Sequence, residues 1–198
     1  MVEVNDSELK TLRVEGIKNI FSGNYKEATE IYQHILIRYS DNMFAVADAN
    51  FHLGDIFVGL EKYELAEKYA LRAINLNPAE PLYRFCLGTI YANQRRWNEA
   101  ISELEIAHAG LPNDSDVVRM LGSAFIGSGN TEKGLYFLEE AVRMSPDNPI
   151  SLIETAIAYF LSGRSYKAIA YALRAEHLNP NNLTIQTVLK TMLGSTRD

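Results

Sequence analysis

The sequence predicts an all-α fold, a solenoid of antiparallel helix pairs, and three observations carry that prediction. Columns of proline, glycine and alanine return every 34 residues. Within each period the apolar residues follow a helical spacing rather than the alternation of a strand. Short glycine-containing turns, "SGN" at 22–24 and 128–130 and "SGR" at 162–164, divide the periods into two segments.

The columns are explicit. Pro78, Pro112, Pro146 and Pro180 are 34 residues apart, and Gly54, Gly88 and Gly122 keep the same step, with Ala156 in the next place. Ala66, Ala100, Gly134 and Ala168 form a third column, and Ala73, Ala107, Ala141 and Ala175 a fourth. Four columns sharing one period define a repeat, and a period of this length is the mark of a stacked array.

Taken in order, residues 1–8 read as a leader and residues 9–42 as an irregular first unit. Units 47–80, 81–114, 115–148 and 149–182 follow, and 183–198 read as a capping helix with a tail. The step from the first unit to the second is 38 residues, so 43–46 ("MFAV") are a helix extension or a longer loop. In the third unit one helix runs from about Pro81 to Gln94 and a second from about Trp97 to Leu111. Pro78 ends the helix before them, because proline cannot continue a helix interior, and Pro81 sits in a first turn, where it is tolerated. Gly88 falls mid-helix, where glycine costs about 1 kcal/mol against alanine, so a close helix crossing is expected there. The alanine columns supply the small surfaces that face it. The last segment places Ile185, Val188, Leu189 and Met192 at helical spacing.

Composition excludes several classes of function. Of 198 residues, 47% are hydrophobic and 22% charged, with net charge −6. A mild acidic excess without a Lys/Arg run argues against nucleic acid as a partner. The N-terminus "MVEVNDSELK" is not a signal peptide and no apolar run is long enough to insert in a membrane, so a cytoplasmic location is expected. The single cysteine, Cys86, excludes an internal disulfide. His34, His52, His108 and His177 have no metal-ligand spacing and read as surface or edge residues. Cys86 has no basic neighbour in sequence and reads as a buried, inert thiol. No catalytic residue, metal ligand or cofactor is assigned, and the chain is expected not to be an enzyme.

These columns resemble the tetratricopeptide repeat (TPR), a 34-residue helix–turn–helix. Residues 81–114 supply Leu87-Gly88, Tyr91, Trp97, Ala100, Leu104, Ala107 and Pro112, and residues 47–80 supply Leu53-Gly54, Phe57, Tyr63, Ala66, Ala73 and Pro78. The first unit departs from the pattern, with Glu15 in the leucine slot, Asn19 in the tyrosine slot and Ser40 in the proline slot. The resemblance spans residues 9 to about 193 and implies a right-handed superhelix whose first helices line a concave binding groove.

Carried over position by position, the resemblance places Phe51, His52, Asp55, Phe85, Thr89, Arg119, Ser123, Ile153, Ile157 and Phe160 in that groove. One subfamily grips a C-terminal carboxylate with five polar residues. The corresponding positions here are Arg13, Ile17, His52, Leu82 and Cys86, so no such clamp is expected. Phe51 and Phe85 hold the same place in adjacent units and would form an aromatic ledge. Ile150, Ile153, Ile157, Phe160 and Leu161 would form an exposed apolar patch, unless the C-terminal helix or the irregular first unit's own extension covers part of it. The expected function is an adaptor that binds an apolar or amphipathic segment of a partner protein. The alternatives are a scaffold self-associating through apolar end repeats, which would make a homo-oligomer, or a chaperone for a secreted substrate.

Overall fold

The structure, a computed structural model, describes residues 6–194, and these form eleven helices and no strand. They group into two compact units, one up to Arg96 and one from Trp97. The first holds α1 (Asp6–Phe21), α2 (Tyr25–Arg38), α3 (Met43–Gly59), α4 (Tyr63–Leu76) and α5 (Pro81–Asn93). The second holds α6 (Trp97–Gly110), α7 (Ser115–Gly127), α8 (Thr131–Met144), α9 (Pro149–Leu161), α10 (Ser165–Leu178) and α11 (Leu183–Gly194). Their boundary falls inside the segment 81–114. Helix α1 begins at Asp6, so the last residues assigned to the leader are helical, while residues 1–5 and the tail 195–198 lie outside the described residues.

Local chemistry sets the boundaries. Pro81 and Pro149 open α5 and α9 at positions where a missing N–H costs nothing. Asn42, Asp114 and Asn148 cap α3, α7 and α9, each carbonyl or carboxylate oxygen accepting from a first-turn backbone N–H. The turn inside each pair needs one left-handed residue. Gly23, Gly129 and Gly163 supply it at φ 73°, 90° and 76°. In the other two turns Glu61 (φ 56°) and Arg95 (φ 59°) take the same conformation with a side chain attached.

Helix α3 has 17 residues where α5, α7 and α9 have 13, and the connection before it, residues 39–42, is no longer than the connection 77–80. The four residues 43–46 therefore extend the helix by one turn rather than lengthening the loop. The extra turn leaves Met43 and Phe44 exposed.

The core runs along the small-residue columns. Ala28, Ala66, Ala73, Ala100, Ala107, Ala141, Ala168 and Ala175 are fully buried. In the first unit, a Cβ on Gly54 would lie 3.5 Å from Ala66 O and from Ala70 N, so α3 crosses α4 at this point. In the second unit the crossing of α7 and α8 is tighter still, with Gly122 set against Gly134 and Leu138. Gly16 of α1 lies against the ring of Tyr32, which is fully buried. Beyond these crossings, Leu135 and Leu138 of α8, Tyr159 of α9, and Leu189 and Met192 of α11 share one cluster that closes the second unit. Among the described residues no helix is long and apolar enough to cross a membrane.

Candidate functional site on the first-helix faces

In the first unit the face is built from α1, α3 and α5. Arg13 of α1 grips Asp48 of α3 with two bonds, Nε to Oδ2 at 2.8 Å and Nη2 to Oδ1 at 2.9 Å. One turn further on, His52 Nε2 lies 3.8 Å from Asp48 Oδ1. The His52 ring stacks on Tyr32 at 4.7 Å and lies 4.9 Å from Phe51. This histidine is therefore not a surface residue, because its side chain is only 14% exposed. Burial lowers its pKa below the ordinary 6.5, with Asp48 opposing the shift and Arg13 adding to it. Of the other histidines, His34 and His177 are exposed and His108 is half-buried against Phe137.

The aromatic ledge is composed differently from expectation. The ring beside Phe51 across the helix pair is Tyr83, at 5.3 Å, and Phe85 is half-buried further along α5. Equivalent positions on neighbouring helices stand about 8–10 Å apart, too far for two rings to stack, and a residue on the near flank fills the gap. Tyr83 is the aromatic that sequence reasoning missed. Its signal was that it is the lone aromatic in a column otherwise filled by Ala49, Val117 and Ser151.

The polar groups on this face are largely engaged. The Thr89 hydroxyl donates to Phe85 O at 2.9 Å and Asn93 Nδ2 donates to Thr89 O at 2.9 Å, both within α5. Cys86 is buried, and burial first, then the Asp55 charge, pushes its thiol pKa up, so the thiolate nucleophile is suppressed. Asp55 is exposed by area, yet the protein around it raises its carboxyl above the usual range through desolvation. The exposure argues that solvent screens much of this effect.

In the second unit the face is built from α7 and α9. Arg119 Nη1 donates to Glu154 Oε1 at 2.7 Å and Nε reaches Asp116 Oδ1 at 3.3 Å. The Ser123 hydroxyl donates to the other oxygen of Glu154 at 2.7 Å. Arg119 and Ser123 are thus tied to the neighbouring first helix. Beside them lies a cleft of 260 Å³ lined by Ser123, Ile126, Leu138, Glu154, Ile157 and Ala158. The expected apolar patch on α9 is only partly exposed. Ile150, Ile157 and Leu161 face solvent, whereas Ile153 and Phe160 are half-buried against the cluster that contains Leu189 and Met192 of α11. Helix α11 shares that cluster, which accounts for the cover.

Among the described residues no group of three or more His, Cys, Asp or Glu side chains could hold a metal ion. The arrangement is one of apolar and aromatic surface with charges largely paired inside the protein.

Tetratricopeptide repeat family profiles match residues 47–80 and 119–182. No curated protein sequence is significantly similar to the chain. Among solved structures, a thermophilic TPR protein of Thermus thermophilus superposes with TM-score 0.80 at 18% identity, covering 93% of this chain and 98% of that one. The PilF protein of Pseudomonas aeruginosa gives TM-score 0.79 at 18% identity, covering 98% and 86%. MamA of Desulfovibrio magneticus gives 0.71 at 17%, covering 88% and 97%. At these identities the likeness is one of fold.

Proposed function

Because this chain is a tetratricopeptide repeat protein, we propose that it is a non-enzymatic adaptor whose first-helix faces take up an apolar or amphipathic segment of a partner protein. The family and the fold support a protein–protein interaction scaffold. The finer reading is supported by one observation above the others. The α3–α5 face presents the half-buried Phe51 and Phe85, with the buried Tyr83 packed beneath Phe51, and a carboxylate, Asp55, while its remaining charges neutralise each other inside the protein. Such a surface has apolar area to offer and little own charge to desolvate.

The test is capture from a cell lysate by the wild-type chain and by a Phe51→Glu/Phe85→Glu double variant, with helicity of both checked by circular dichroism. Proteins caught by the wild type and lost by a folded variant support the face as the docking surface. Equal capture by both would refute it. A second reading, self-association, is favoured by the exposed Ile150, Ile157 and Leu161 of α9. A sedimentation mass that stays monomeric across concentration rules it out.

A further inference from the structure

Among the described residues, every charged or polar side chain that the repeat pattern puts on the α1–α3–α5 face has a partner inside the protein, with two exceptions. Arg13 holds Asp48, which also faces His52. Thr89 and Asn93 bond their own helix. The exceptions are Lys10 and Asp55, and they are well separated. Relative to the aligned glycines Gly16 and Gly54, Lys10 sits seven residues nearer the N-terminal ends of these parallel-register helices than Asp55, which is about two turns.

Asp55 has particular neighbours. Phe51 and His52 lie one turn before it on the same stripe of α3, and Val58 lies nearly one turn after. Across from it stands α5, whose Cys86 Sγ comes within 3.5 Å of the Cβ position at Gly54. The carboxylate is therefore an uncompensated negative charge beside aromatic and aliphatic surface. Such a setting complements a group that is cationic at its tip and apolar along its stem. A bare divalent ion does not fit, because one carboxylate without further ligands holds none.

We propose that Asp55 anchors a lysine or arginine side chain of the partner segment, with the alkyl stem lying along Phe51 and Val58. This rests on the docking reading given above and adds to it the chemistry of the occupant: an apolar segment that carries a cation at one fixed place. The charge of the partner is thereby matched to the one acid at these groove positions that has no partner among the described residues.

The experiment selects binders to the whole chain from a random dodecamer display library and measures synthetic copies of the enriched peptides by calorimetry. The expected result is a common Lys or Arg flanked by apolar residues. Asp55→Asn then weakens those peptides about tenfold, as loss of a charge-assisted bond should. Replacing the peptide cation by norleucine weakens binding to the wild type and leaves Asp55→Asn binding unchanged. Enriched peptides that lack a cation, or that bind Asp55→Asn as well as wild type while Phe85→Glu loses them, overturn the anchor and leave the docking face standing. An absence of enriched peptides, or peptides indifferent to Phe85→Glu, overturns the docking face and the anchor together.

Discussion

Adding one methyl group at two equivalent places in this repeat should have opposite effects. A Cβ on Gly54 would stand 3.5 Å from Ala66 O, Ala70 N and Cys86 Sγ, which is ordinary van der Waals contact. Gly54→Ala therefore keeps the crossing intact and gains helix propensity, up to about 1 kcal/mol. A Cβ on Gly122 would stand 2.9 Å from Leu138 N and 3.0 Å from Gly134 O, and both are backbone atoms that no rotamer change can move. Helix α8 would have to retreat by roughly 0.5 Å, and a gap of that size already forfeits a quarter or more of each dispersion contact it opens. Overpacking of this kind costs about 1–3 kcal/mol, so after a propensity gain of about 1 kcal/mol Gly122→Ala loses up to about 2 kcal/mol net. For a chain of this length each kcal/mol moves Tm by about 2–4 °C. Thermal and urea melts followed at 222 nm read both variants. Trp97, the single tryptophan, lies against Gly127 at the end of α7 and reports the second unit by fluorescence. Shifts of the same sign for the two variants, or a Gly122→Ala chain at least as stable as Gly54→Ala, would refute the crossing argument.

Two further outcomes follow from local geometry. Replacing Glu61 or Arg95 by glycine relieves a left-handed backbone that costs an ordinary residue about 1 kcal/mol, so each should raise Tm, whereas Gly129→Ala, at φ 90° with open space around it, should lower it by a similar amount. No gain at either position would show that those turns carry no strain. His52 is held neutral by burial, so its folded pKa lies below 6.5 while the unfolded chain takes up a proton at 6.5. Its stabilising contribution is complete above that pH and drains as pH falls below it, because the unfolded state then binds more protons. The drop in Tm between pH 8 and pH 5.5 should be smaller in His52→Gln, and an equal drop would place the acid sensitivity elsewhere.

The repeat period was legible because small residues at helix crossings tolerate few substitutes, while the proline column and the turn glycines Gly23, Gly129 and Gly163 mark the breaks. Helices α5 and α6 fall within a residue of their expected limits for this reason. The extra turn at 43–46 was ambiguous in sequence, since Met-Phe-Ala-Val suits a loop anchor as well as a helix. Only the unchanged connection 39–42 settles it. The faces were less legible. Sequence placed Arg119 and Ser123 at groove positions, but their reach to Glu154, 35 and 31 residues on, depends on how closely α7 and α9 approach. The burial of His52 likewise depends on Tyr32, a residue of α2 with no marked relation to it in the chain.

The four residues added to α3 carry a consequence for how such an array can change its length. Four residues turn a helix by about 400°, only some 40° beyond a full revolution, so everything downstream keeps nearly the same side toward its neighbours. Two added residues would turn it by about 200° and send Leu53 and Gly54 outward into water. Insertions and deletions within a helix of this protein are therefore quantised near one revolution, and the overhang that results, tipped by Met43 and Phe44, is the visible remainder of one such step.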